Sequence, residues 1–89
     1  MTSRTTKDFR KLLRGLHPHV QKQAEEAYRT WLRDPWHPSL RFKQIHPNAI
    51  YSVRIALGWR AVGARRDDML LWYWIGSHND YDNLIQGFR

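Results

Sequence analysis

The first part of the chain shows the hydrophobic repeat of two amphipathic helices. Its first segment repeats apolar residues at i, i+3, i+4 and i+7: Phe9, Leu12, Leu13 and Leu16. Thr5 or Thr6 can cap this helix, and Gly15 with Pro18 ends it. The second segment extends to the Asp34-Pro35 step and has one apolar face: Val20, Ala24, Ala27, Tyr28, Trp31 and Leu32. The pattern predicts a helical hairpin.

After Pro38 the hydrophobic period becomes alternating, which is typical of half-buried strands. The first predicted strand shows its alternation at residues 40–43 and ends near the turn at residues 46–48. Two further strands are predicted at residues 50–57 and 59–64. Gly58 allows a tight reversal or a bulge between the second and third of these strands. The charged residues 65–68 are expected to form a hairpin turn that leads into the next strand.

The apolar run from Met69 to Ile75 predicts a central strand, because it is far shorter than the roughly 20 residues that cross a membrane. Gly76 is expected to end this strand. Ser77, His78 and Tyr81 then either begin a functional site or act structurally, as a helix cap, a solvated loop residue and a core residue. A short helix follows, with apolar residues at helical spacing: Tyr81, Leu84, Ile85 and Phe88.

These elements predict an α+β fold: an N-terminal helical hairpin packed on a twisted antiparallel sheet of three to four strands, with a short C-terminal helix. The short turns exclude parallel pairing of consecutive strands, which needs a crossover of a dozen or more residues. The whole chain, 1–89, is expected to form one domain. The second face of the sheet is then partly open, and it is predicted to carry four basic residues interleaved with three tryptophans: Arg41, Lys43, Arg54, Arg60, Trp59, Trp72 and Trp74.

Composition narrows the range of partners. The chain has 15 lysines and arginines against 8 acidic residues, and its formal charge of +7 favours a polyanionic partner. A mixture of basic and aromatic side chains suits phosphates and stacked bases, although the same residues also fit a solvated polar face above buried tryptophans. Cysteine is absent, so disulfides and thiolate metal sites are excluded.

Other classes of protein and site receive little support from the sequence. His17 and His19 stand at a helix start without further ligands, so we expect no metal, and no cofactor motif is present. Neither a signal peptide nor a long apolar segment is recognisable, which predicts a soluble cytoplasmic protein without a membrane partner.

Four stretches taken in order resemble the RelE/ParE superfamily of bacterial type II toxins. They are residues 34–45 (DPWHPSLRFKQI), 51–55 (YSVRI), 58–61 (GWRA) and 74–81 (WIGSHNDY), and the similarity extends from Phe9 to Ile85. The resemblance implies a small toxin that is held inactive by a cognate antitoxin. RelE-like members cleave mRNA, commonly on the ribosome, whereas ParE-like members inhibit DNA gyrase.

The resemblance also assigns candidate site residues. Basic residues on the second strand, an arginine after the Gly-aromatic pair and a histidine near the last strand with a later tyrosine correspond to Arg54, Arg60, His78 and Tyr81. Ser52 stands where the RelE prototype has lysine. The prototype's initial strand is hard to recognise in residues 1–4. Both differences fit the branch of the family that uses histidine as its acid or base.

Metal-free RNA cleavage gives these residues definite roles. Arg54 and Arg60 are expected to hold the scissile phosphate through their paired guanidinium donors, or else to be ordinary surface ion-pair partners. His78 is predicted to be the general acid, since imidazole titrates near neutrality. Tyr81 either orients a base or belongs to the core. Arg41, Lys43 and His46 are expected to contact flanking mRNA or rRNA. The base is either His46 or a water carried by the substrate.

Three functions therefore remain from the sequence. The favoured hypothesis is a ribosome-associated mRNA endonuclease that inhibits translation. The second is a ParE-like inhibitor of DNA gyrase, against which the His78 and Tyr81 pair argues mildly. The third is a non-catalytic module that binds only its antitoxin or RNA, with an affinity that falls as salt rises.

Overall fold

The computed structural model describes residues 1–88 and shows three helices and five strands. In chain order they are β1 (Thr2–Thr5), α1 (Lys7–Arg14), α2 (Pro18–Arg33), β2 (Lys43–His46), β3 (Ile50–Ala56), β4 (Trp59–Arg66), β5 (Met69–Ser77) and α3 (His78–Gln86). A 3-10 helical turn, Pro38–Leu40, joins α2 to β2. The α+β fold with an N-terminal helical hairpin and a short C-terminal helix is confirmed.

The strand count of the prediction was too low, because β1 was missed. The sheet has the order β1-β5-β4-β3-β2, and β1 pairs parallel to β5 while the other neighbours are antiparallel. Parallel pairing is possible here because two helices and three strands separate β1 from β5 in the chain. The four residues of β1 are polar or charged, so no hydrophobic alternation marks them as a strand.

The start of the first predicted strand was also wrong. Leu40 closes the 3-10 turn, and Arg41 adopts a left-handed backbone conformation with φ of 46°. Leu40 and Phe42 are both buried, so their alternation with basic residues comes from packing of a turn. Pairing with β3 begins only at Lys43. Local periodicity cannot distinguish a strand from a turn that buries the same two side chains.

Gly76 does not end β5, which continues to Ser77. A Cβ atom added to Gly76 would lie 2.7 Å from Cζ2 of Trp74, much closer than real contacts allow. The glycine therefore gives space to the neighbouring indole, which lies over the strand. The hairpin turn before β5 is shorter than predicted as well, because only Asp67 and Asp68 form it.

The main core lies between the helical hairpin and the sheet. Trp31 of α2 is 1% exposed and packs edge-on against Trp72 and Phe42, with ring centroids 5.6 and 5.9 Å away. The remaining members of this cluster are Ala24, Leu40, Val53, Ala61, Leu70 and Ile75. Aromatic pairs in this geometry add stabilisation beyond their buried area.

The prediction that Trp72 lies on the open face was wrong, because a bulge separates it from Trp74. Adjacent residues Val62 and Gly63 pair with Trp74 and Trp72, so Tyr73 is an extra residue in β5. Paired residues share a face of the sheet, and Val62 and Gly63 point to opposite faces. Trp72 therefore enters the core, whereas Trp74 stays on the open face.

Helix α3 packs on the face opposite to α1 and α2. Its Tyr81 is buried, and the Tyr81 hydroxyl donates a hydrogen bond of 3.2 Å to Oγ of Ser52. Ser52 points away from the core because its neighbour Val53 belongs to the core. Within residues 1–88, no helix combines the length and apolar character that spanning a bilayer requires.

Candidate functional site

Arg54 and Arg60 form the centre of the basic surface on the open face. They are directly opposite each other on β3 and β4, which places their Cβ atoms about 5 Å apart. Burial, and after it the charge of Arg54, lower the pKa of Arg60. The guanidinium remains charged at neutral pH because arginine loses its proton only in strongly alkaline solution. Two like charges on directly opposite residues favour a bound anion.

The β3–β4 turn connects Arg60 with His78. Nη1 of Arg60 donates to the carbonyl oxygens of Ala56 (2.9 Å), Leu57 (3.3 Å) and Trp59 (2.9 Å). The backbone N–H of His78 donates to the remaining carbonyl of the turn, Gly58, at 2.8 Å. The four carbonyls of residues 56–59 thus hold both the Arg60 side chain and the backbone of His78. The arginine keeps Nε and Nη2 free of hydrogen bonds to other residues in the described part of the chain.

His78 is the first residue of α3. Ser77 is the N-cap, and its Oγ accepts a 3.1 Å hydrogen bond from the backbone N–H of Asp80. The imidazole is about half exposed, and its Nδ1 lies 3.4 Å from Oδ2 of Asp82 one helical turn later. Ser77 therefore acts as the helix cap that the structural alternative proposed, whereas His78 belongs to the helix and not to a loop.

Tyr81 is a core residue beneath the site. It is 7% exposed, its hydroxyl is engaged by Ser52, and its ring lies 6.1 Å from His78 and 6.5 Å from Trp74. Ser52 itself is 3% exposed. A buried ring with an engaged hydroxyl is poorly placed to stack on a base, and this position favours the alternative in which Tyr81 fixes α3 against the sheet.

The residues expected to contact RNA divide into two groups. Lys43 is exposed and pairs with Ser52 across β2 and β3, and the charge of exposed Arg41 contributes to the lowered pKa of Arg60. His46 instead pairs with Ile50, with its ring 5.3 Å from Phe88. Ile50 is four residues before Arg54, a distance of roughly 13 Å along a strand. His46 is therefore separated from Arg54, although it lies on the same strand as Lys43.

Asp82 is the residue of this site that sequence reasoning missed. Its carboxylate contacts His78 and raises the pKa of Arg60, against the effect of Arg54 and Arg41. The available signal was the i, i+4 spacing of His78 and Asp82, which places two side chains on one side of a helix. That signal has meaning only if the helix begins before Tyr81, whereas the apolar repeat that predicted this helix starts at Tyr81.

The positive charge of the site is largely uncompensated. Arg29, paired with Glu25, is the only lysine or arginine side chain in an ion pair within residues 1–88. In the same part of the chain, no three histidine or acidic side chains lie close enough together to hold a metal ion. The arrangement can bind an anion through guanidinium groups and present an imidazole beside it.

Solved structures with the same fold include several toxins. The RelB-RelE antitoxin-toxin complex from Methanococcus jannaschii has a TM-score of 0.71 and 15% identity over 90% of this chain and 95% of that chain. The YoeB/ParE toxin from Agrobacterium tumefaciens has a TM-score of 0.68 and 14% identity over 88% of this chain and 99% of that chain. The toxin-antitoxin complex RelBE2 from Mycobacterium tuberculosis has a TM-score of 0.69 and 20% identity over 86% of this chain and 96% of that chain. At these identities the likeness is one of fold.

The sequence itself decides the family. No protein of curated function matches the chain significantly. The model of the ParE-like toxin domain matches residues 18–83, from the first residue of α2 to the middle of α3. This match includes β2 to β5 and the residues Arg54, Arg60, His78 and Asp82. The chain belongs to the ParE-like toxin domain family.

Proposed function

We propose that this toxin is an endoribonuclease that cleaves mRNA on the ribosome and so inhibits translation. The observation that carries the proposal is the β3–β4 turn, which holds Arg60 through three carbonyls and His78 through a fourth. An arginine suited to binding phosphate and the backbone of a histidine suited to proton transfer are thereby held by one segment. Cleavage of a phosphodiester by its own 2'-OH needs these two groups next to each other.

In this reaction Arg54 and Arg60 bind the scissile phosphate and stabilise the charge of the pentacoordinate transition state. His78 donates a proton to the leaving 5'-oxygen, and the half-exposed position of its ring leaves the imidazole accessible to substrate. Lys43 and Arg41 bind the flanking backbone of mRNA or rRNA. The distance of His46 from Arg54 favours a substrate-borne water as the acceptor of the 2'-OH proton.

The test is cleavage of ribosome-bound mRNA by purified toxin, followed by primer extension. We expect His78→Gln to slow cleavage by at least about 100-fold, the usual range for loss of an acid or base. His19→Gln is the matched control, because His19 is an exposed histidine at the start of α2, on a different element from the site. Equal cleavage by the His78→Gln protein would contradict the proposal.

Inhibition of DNA gyrase is the second candidate function, and the family description favours it, since the matching family is named for ParE. A gyrase inhibitor leaves mRNA intact and generates cleaved DNA when gyrase and ATP are present. Gyrase-dependent DNA cleavage without mRNA cleavage would therefore replace the proposed reaction. Binding of RNA without any cleavage would instead identify a non-catalytic module.

We also propose a cognate antitoxin as partner, because matched structures are toxin–antitoxin complexes. A cleft of about 520 Å³ lies between α1, α2 and the sheet, and its apolar lining includes Phe9, Leu13, Ala27, Trp31 and Trp72. The cleft fits an amphipathic segment of the antitoxin. Co-expression with the neighbouring gene should yield a stable complex, and Ala27→Arg should weaken it; unchanged binding would direct attention to the basic face.

A further inference from the structure

Helix α3 carries a histidine–carboxylate pair at the edge of the candidate site. Nδ1 of His78 and Oδ2 of Asp82 are 3.4 Å apart, and the two side chains are 47% and 48% exposed. This separation is typical of an ion pair in the free protein. Catalytic hydrogen bonds are commonly long before substrate binds, and they shorten once water is excluded from the site.

The two imidazole nitrogens have different surroundings. Nδ1 faces a carboxylate, which only accepts hydrogen bonds, so the proton of the neutral ring is stabilised on Nδ1. Nε2 makes no hydrogen bond to any residue described in the structure, and it is the nitrogen left for substrate. We propose that Asp82 is a positioning residue, which fixes the tautomer and ring orientation of His78 for RNA cleavage. This inference rests on the proposed function.

A second observation supports the role of Asp82. Among the groups that act on Arg60, Arg54 and Arg41 lower its pKa, whereas Tyr81 and Asp82 raise it. The carboxylate of Asp82 is thus near both His78 and the phosphate-binding arginine.

The proton inventory of the cleavage step is balanced with this assignment. The 2'-oxygen, after loss of its proton to water, attacks phosphorus, and the bond from phosphorus to the 5'-oxygen breaks. The 5'-oxygen takes the proton of Nε2 from the doubly protonated imidazole. The products are a 2',3'-cyclic phosphate, a free 5'-OH and neutral His78, whose remaining proton on Nδ1 is donated in a hydrogen bond to the Asp82 carboxylate.

Single-turnover cleavage of ribosome-bound mRNA by the full-length toxin tests the role of Asp82. Asp82→Asn should lower the maximal rate about 10- to 100-fold, the effect of removing a supporting partner, with little change in the concentration giving half-maximal rate. Asp82→Glu should recover part of the rate. Asp80→Asn is the matched control, because it removes the same charge from the same helix without contacting His78. A parent-like rate for Asp82→Asn would overturn the proposal.

Nitrogen-15 NMR of the same proteins, under alkaline conditions in which histidine is neutral, gives a readout that does not depend on cleavage. The His78 ring should be protonated on Nδ1 in the parent and in Asp80→Asn, and it should shift towards protonation on Nε2 in Asp82→Asn. His78→Gln identifies the signals. An unchanged tautomer in Asp82→Asn overturns the positioning role. If the parent does not cleave mRNA, the proposed function fails, while the tautomer still decides whether Asp82 orients His78.

Discussion

The two faces of the sheet differ in what they bury. The face beneath α1 and α2 packs a cluster of large apolar side chains around Trp31, Phe42 and Trp72. The face beneath α3 buries a hydrogen-bonded pair, Ser52 and Tyr81, and beside that pair it leaves Arg54 and Arg60 partly accessible. Apolar burial is the main favourable term in folding. The helix face therefore supplies most of the stability, and the open face is free to carry uncompensated positive charge.

The largest effect on stability is expected from Trp31→Ala on the helix face. Removing this fully buried indole leaves a cavity between α2 and the sheet, which should lower the free energy of unfolding by about 3–5 kcal/mol. Trp36→Ala is the matched control, because Trp36 is 58% exposed. Urea denaturation measures both variants. Similar losses for the two tryptophans would break the contrast between a packed and an open face.

Gly76→Ala should have the next largest effect, and it is located on the open face. The new Cβ would lie 2.7 Å from the Trp74 ring, so the indole must move, at a cost of about 1–3 kcal/mol. Gly58→Ala provides the control: its added Cβ meets nothing within 4 Å, and the φ of Gly58 is not positive. Thermal unfolding compares the pair. An unchanged melting temperature for Gly76→Ala would show that Trp74 does not need this glycine.

Ser52→Ala tests the buried hydrogen bond that attaches α3 to the sheet. The Tyr81 hydroxyl then has no partner within the buried contact, and the expected loss of stability is about 1–2 kcal/mol. Tyr81→Phe and the double variant complete a thermodynamic cycle. If the bond exists, the double variant loses less than the sum of the single variants. Simple additivity would exclude the interaction.

Arg54→Gln should have the smallest effect on stability, within about 0.5 kcal/mol, because Arg54 makes no ion pair or hydrogen bond with another residue of the described chain. On the proposed function its effect on mRNA cleavage is large, at about 100-fold. Arg33→Gln, an exposed arginine of α2, is the charge-matched control. A stability loss for Arg54→Gln comparable to that of Ser52→Ala would assign the arginine a structural role.

Much of the fold could be predicted because its signals are local. The apolar repeats of α1 and α2, the alternation in β3 and β4, and the apolar run of β5 each arise within a single element. Arg54 and Arg60 were placed on one face by the same alternation. The end of the apolar run drew attention to His78 and Tyr81, and the RelE/ParE resemblance, which the family match confirms, then assigned them roles.

The elements that escaped prediction depend on residues distant in the chain. β1 forms because its backbone pairs in parallel with the backbone of β5. Its polar side chains give no hydrophobic pattern that would predict this pairing. Trp72 and Trp74 have the spacing of residues on one face, but the extra residue Tyr73 places them on opposite faces. A bulge is defined by the register of two strands, and a single strand does not contain that information.

By itself the sequence determined the order of the elements from α1 to α3, the amphipathic character of α1 and α2, and the basic character of the open face. Only the tertiary structure decided how the site is assembled. Carbonyls of the β3–β4 turn accept hydrogen bonds from the Arg60 side chain and from the backbone N–H of His78. The register between β4 and β5 brings His78 to this turn. Asp82 enters the site because α3 begins directly at His78. The hydrogen bond from the backbone N–H of His78 to Gly58 joins segments that are distant in the chain, and any residue type except proline can supply such an N–H.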